Sequence, residues 1–152
     1  LVQGKFNLPI SSHGDLDERK FQPAVVGEPW NIKSLREGGN QRNIKRDLKS
    51  GIVTTEIIDD FGKRRDQEHG LITGSTAREW WSIHPDDPLS AHGRTHWTEE
   101  VERADWSVRT ETYAEMWSDY ETFYIKASLM AFHNDDLVFE KEFNEEIQRL
   151  KH

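Results

Sequence analysis

Seven histidines, 28 acidic side chains and no cysteine define the chemistry open to this 152-residue chain. A metal would have to draw on His84, His92, His96, His133, Asp86 and Asp87. His92 and His96 stand four apart, which puts two imidazoles on one face of a helix. Ala91–Thr98, however, carries Gly93 and reads as strand, where that spacing covers roughly 13 Å. Asp86 and Asp87 sit between Pro85 and Pro88, and short acidic side chains in a turn accept bonds from nearby backbone N–H groups. They read as turn residues. Acyl transfer needs a serine or cysteine on a strained turn beside a base. The chain has no Gly-x-Ser-x-Gly elbow, and its nearest approach, Gly74-Ser75, lacks the second glycine. Glu99, Glu100 and Glu102 read as the wet face of a strand rather than a glycosidase pair. No catalytic residue, cofactor site or metal site is therefore expected.

The other residues that could act are aromatic. Five of the six tryptophans, Trp80, Trp81, Trp97, Trp106 and Trp117, fall within one stretch. Trp80, Trp97 and Trp117 are candidates for stacking on a ligand or for contact with another domain. Trp81, Trp97 and Trp106 each have at least one apolar or threonine neighbour two residues away (Ile83, Thr95, and Ala104 with Val108) and read as core or inter-domain packing residues. The one basic group, Arg42, Lys45, Arg46 and Lys49 with Lys63-Arg64-Arg65, is of the kind that keeps an edge strand from pairing with another sheet.

Period-two alternation identifies the elements that must hold these side chains. From Trp106, one face reads Trp106, Val108, Thr110, Thr112, Ala114, Met116, and the other Ser107, Arg109, Glu111, Tyr113, Glu115, Trp117. That is a long half-buried strand. Around it the sequence predicts strands at Asn43–Leu48, Ile52–Ile58, Ser75–His84, Arg94–Glu102, Thr122–His133 and Leu137–Phe143. Turns are expected at Lys49-Ser50-Gly51, Asp59-Asp60-Phe61-Gly62, Arg103-Ala104-Asp105, Ser118-Asp119 and Asn134-Asp135. His84-Pro85-Asp86-Asp87-Pro88 is expected to be an ordered corner, since neither proline can donate to a ladder. Glu145–Lys151 is expected to be a final helical turn or a frayed end. Residues 1–40 are rich in proline and glycine and read as an irregular linker. The predicted fold is all-β, an up-and-down antiparallel sheet of about seven strands over residues 41–152. It would be curved, or folded into a sandwich or partial barrel.

Composition narrows the partners. Only 34% of residues are hydrophobic and 32% are charged, which suits a sheet with one covered and one wet face. A covering partner outside the chain fits the same shortage. Residues 75–152 carry 17 acidic and 8 basic side chains within a net charge of −8, which disfavours nucleic acid and anionic membrane. No apolar run approaches the ~18 residues of a membrane span. A start at Leu1 reads as a cut from something longer.

Several pieces together resemble a known family. They are Asn43–Gly51, Asp59-Asp60-Phe61-Gly62, the run from Trp81 through Asp86-Asp87-Pro88-Leu89-Ser90-Ala91, and Asp105-Trp106-Ser107-Val108-Arg109-Thr110-Glu111-Thr112. They are similar to the far C-terminal region of bacterial serine hydrolases of the X-Pro dipeptidyl-peptidase and cocaine-esterase (CocE/NonD) type, over residues 35–145. Leu8-Pro9-Ile10 is similar to the strand that closes the jelly-roll domain of those enzymes. The resemblance implies a non-catalytic accessory domain whose partners are the catalytic and jelly-roll domains of the same parent chain. That parent would cleave ester or peptide acyl bonds, and none of the family's catalytic residues maps onto this chain. The tail departs from the family, with Glu146-Ile147-Gln148-Arg149-Leu150 in place of a proline-containing terminus. Two other readings stand beside it: a sugar- or lipid-binding β-module, and a homo-oligomerisation domain.

Overall fold

The computed structural model describes residues 5–8 and 21–150. Eight strands form one antiparallel sheet: β1 (Ile32–Arg36), β2 (Gly39–Arg46), β3 (Val53–Asp66), β4 (Ile72–His84), β5 (Asp87–Arg103), β6 (Trp106–Ser118), β7 (Thr122–His133) and β8 (Asp136–Gln148). The order is β1-β3-β4-β5-β6-β7-β8, with β2 also on β3. β1 and β2 lie end to end along one edge of β3, opposite Lys63–Asp66 and Val53–Asp60 respectively. The all-β antiparallel class is as the alternation predicts. The sheet is open, with β8 at one edge and the β1/β2 pair at the other, and it closes into neither a sandwich nor a barrel. Among the described residues no helix is long and apolar enough to cross a membrane.

Turn chemistry explains the hairpins. Asp47 accepts from the N–H groups of Lys49 and Ser50, and Gly51 takes a φ of 78° to reverse the chain into β3. Tight reversals at Pro85-Asp86, Ala104-Asp105 and Asn134-Asp135 join β4 to β5, β5 to β6 and β7 to β8. Two of them use a residue with positive φ, Ala104 and Asn134. The Asp66 carboxylate organises the β3–β4 turn. It accepts from the Glu68 N–H, and from the Trp30 indole at 2.6 Å, which fastens the segment ahead of β1.

Several expectations need correction. Asp59-Asp60-Phe61-Gly62 is not a turn: β3 runs straight through it with a bulge between Asp60 and Lys63. Gly62, at φ 80°, meets the break between β1 and β2, and a Cβ there would lie 2.8 Å from the Arg36 carbonyl. The extra residue restarts the alternation, so Phe61 points to one face and Lys63 to the other. The sheet begins at Ile32, so the boundary expected at residue 40 falls inside β2. The tail is neither helical nor frayed up to Gln148, because β8 stays paired with β7 as far as Thr122↔Gln148. Pro9 and Ile10 of the expected closing strand, and Lys151, lie outside the described residues.

A single layer buries little. Ile72 and Ala77 are the only hydrophobic residues in the buried class among those described. Of the two packing roles expected for Trp81, Trp97 and Trp106, core or inter-domain contact, the described residues do not provide a core: they remain 49%, 36% and 44% exposed.

Candidate functional site

Pairing carries each residue's face from strand to strand, because directly opposed residues share a face. One cross-strand row reads Ala77–Trp97–Thr112–Leu129–Lys141, and the next but one Trp81–Gly93–Met116–Ile125–Glu145. Between them runs Glu79–Thr95–Ala114–Ala127–Phe143. This is the apolar face. Phe61 stacks on Trp97 with ring centroids 6.0 Å apart. The Trp81 ring lies flat over Gly93, where a Cβ would sit 2.7 Å from it, so glycine is what lets the ring lie down. Two carboxylates of this face are each held by a neutral donor: Glu79 by the Trp81 indole at 2.9 Å and Glu99 by the Ser75 hydroxyl at 2.8 Å.

The opposite face is built from polar and aromatic side chains that engage one another. At one end Lys63 lies between Glu100 and Glu102, and Arg36 reaches both Asp60 and Glu100. Desolvation opposes the charged form of Glu100, yet Lys63 and Arg36 hold its carboxyl below the usual range. Desolvation likewise opposes ionisation of Asp60, and the Gly62 N–H and Arg36 outweigh it. Lys63 is pushed up by its two carboxylates against the pull of burial. In the middle, His96 stacks on Tyr113 at 4.1 Å and 9°. Its Nε2 is buried without a hydrogen-bond partner among the described residues and lies 3.5 Å from Glu111, too far to bond. Burial, then Arg78, pushes its pKa down. The Glu111 carboxylate that faces it is in contact with Arg109. A groove of about 590 Å³ crosses this face, lined by Trp80, Arg94, His96, Tyr113, Lys126 and Glu142 among others.

The sequence candidates are divided between the two faces. Trp97 is on the apolar face, whereas Trp80 and Trp117 are on the polar one, so the three cannot form one binding surface. Trp80 donates to Glu56 at 3.1 Å and carries the Arg94 guanidinium 5.8 Å above its ring. Trp117 stacks on Tyr124 at 5.4 Å, with His92 at 5.9 Å and the Lys126 ammonium at 5.4 Å. Their rings are already engaged, which leaves them poor platforms for a sugar.

His92 and His96 share the polar face with Arg94 between them, and each faces its own carboxylate, Glu115 and Glu111. Among the described residues, no group of three or more His, Asp or Glu side chains could hold a metal. The expected corner at His84–Pro88 is a hairpin reversal between neighbouring strands. Asp87 accepts from the Leu89 N–H, and the Ser90 hydroxyl bridges the Asp87 carbonyl and the His84 N–H. Pro85 forms the turn, and Pro88 falls where the β4–β5 ladder is irregular. Asp86 donates its backbone N–H to the His84 ring. Sequence reasoning missed Phe61 as a member of the apolar face, and the Phe61-Gly62 pair inside a strand pattern was the available signal. Comparison with protein-family models, with curated proteins and with solved structures found no match.

Proposed function

We propose that this chain is a non-catalytic accessory β-domain of a serine hydrolase of the X-Pro dipeptidyl-peptidase or acyl-esterase type, seated on its neighbouring domain through the apolar face. The observation that supports it is that face itself. Phe61, Trp81, Trp97, Trp106 and Met116 are 36% to 58% exposed on one side of a single-layer sheet. A contiguous aromatic and aliphatic field of that kind marks an interaction surface. The other face satisfies most of its groups internally and has no comparable need of cover. Sheets pack face to face about 10 Å apart with interdigitated side chains, which is how a second layer from a jelly roll or hydrolase domain would meet Trp97 and Trp81. The sequence resemblance is what supports a jelly-roll or hydrolase domain as that neighbour.

Two measurements test the reading. The isolated chain is assayed for ester and Xaa-Pro hydrolysis, and no turnover is expected. Turnover that survives purification and is abolished by a point change in this chain overturns the proposal. Light scattering over a concentration series separates a hetero-domain seat from self-association: a defined dimer whose formation is lost in Trp97→Glu would assign the apolar face to a second copy.

A further inference from the structure

The two edges of the sheet are built differently. On the β3 side the edge consists of two short strands, of 5 and 8 residues, interrupted at Glu37–Gly38. Basic side chains line it: Arg42 is paired to Asp59 and Lys45 to Glu56. Short, broken and lysine-bearing edges discourage strand addition. At the far side β8 is a single strand of 13 residues. One side of its backbone pairs with β7, and its register is continuous from Phe139 to Gln148. Among the described residues nothing pairs with the other side, so alternate N–H and C=O groups there lack a ladder partner.

The side chains of that edge specify what could join it. On the polar face β8 presents Glu140, Glu142, Asn144 and Glu146; on the apolar face Phe139, Phe143 and Ile147 alternate with Lys141 and Glu145. None of these glutamates is in an ion pair among the described residues. A second β8 would set carboxylates against carboxylates, and like charges directly opposed in a sheet are destabilising. The edge therefore rejects its own copy. We infer that β8 is a docking edge that takes, as an additional strand, a partner segment with lysine or arginine opposite Glu140, Glu142 and Glu146 and apolar residues on the other face. Main-chain bonds supply the attachment and the alternate side chains supply the choice of partner. This surface is distinct from the apolar face and stands or falls separately from the seat proposed there.

The probe is the peptide Val-Lys-Lys-Thr-Val-Lys-Glu-Lys-Val, acetylated and amidated, written to run antiparallel to Phe139–Ile147. Its control replaces threonine with proline, which keeps the charge and breaks the ladder. Hydrogen exchange on the full chain reads the outcome. With the probe, alternate amides of β8 should slow by about tenfold or more, while β1 and β2 stay unchanged. The proline peptide should give no protection. Replacing Glu140, Glu142 and Glu146 together by glutamine should weaken the probe by about tenfold at an unchanged thermal midpoint. Equal binding of both peptides would reduce the effect to charge attraction and overturn the inference. So would protection at β2, a β8 already protected in a self-associated chain, or no protection at millimolar probe.

Discussion

The two faces of this sheet carry similar numbers of aromatic rings and put them to different use. On the polar face, His96 lies on Tyr113, Trp117 on Tyr124, Arg94 over Trp80 and Arg109 over Phe132. On the apolar face Phe61 and Trp97 stack, and Trp81 covers Gly93, but among the described residues no second layer lies above them. The difference teaches how a one-layer sheet divides its needs. Polar and charged groups can be satisfied by cross-strand neighbours within the layer, because hydrogen bonds and ion pairs act sideways. Apolar surface cannot, because taking it from water requires atoms on top of it. One face is thus satisfied within the layer, and the other stays exposed among the described residues.

The strongest way to break this contrast is to remove the bulge that sets it. Gly62→Val forces a β-branched residue into φ 80° against the Arg36 carbonyl and the Gly38 N–H, backbone atoms that have little room to move. A loss of about 3 kcal/mol is expected, read as a lowered urea midpoint with altered near-UV dichroism. Next is Lys63→Met, which removes the ammonium between Glu100 and Glu102 and leaves Glu100 with Arg36 alone. It should cost about 1–3 kcal/mol. Adding Glu102→Gln should recover part of that loss, since the two residues touch and their effects do not add.

Acid titration sharpens the contrast with a smaller effect. The His96 pKa is depressed in the folded chain, so its contribution is fully present above the unfolded value near 6.5 and is lost as pH falls through the lower folded value. Asp60 and Glu100 are also depressed. Their contribution is present above their ordinary values of 3.8 and 4.5 and is lost at still lower pH. Lys63 is raised, so its contribution holds below 10.5 and fades as pH climbs through the folded value. Thermal midpoints should therefore decline below pH 6.5 and then more steeply below about pH 4.5. His96→Phe should remove the first decline and leave the second. The smallest effect belongs to the apolar face. Trp97→Ser on the isolated chain should cost only about 1 kcal/mol, because the ring is incompletely covered to begin with. The same change should visibly reduce binding of a hydrophobic dye.

Much of the strand inventory is legible in the residues. The faces of β6 follow directly from the run Trp106–Trp117, and the turns at Lys49–Gly51, Arg103–Asp105 and Asn134-Asp135 follow from their glycine, alanine-aspartate and asparagine chemistry. The failures have physical causes. Asp59-Asp60-Phe61-Gly62 has turn composition, but β3 is held on both sides, by β2 and β4, and the same residues are absorbed as a bulge. Ile32–Arg36 carries mixed charge and weak alternation, and it becomes a strand because Trp30 is tied to Asp66 and Arg36 to Asp60 and Glu100. Glu145–Gln148 has helix-forming side chains, overridden by the ladder of β7.

By itself the sequence determined the antiparallel all-β class, the alternation within each strand and the scarcity of apolar cover, since these depend on residues one and two apart. Only the tertiary structure decided that Trp97 stands apart from Trp80 and Trp117, that Phe61 joins Trp97, and that the outer side of β8 has no partner among the described residues. Register and bulges fix those relations. They arise from contacts across tens of residues, where a one-residue shift exchanges the faces and no local pattern records it.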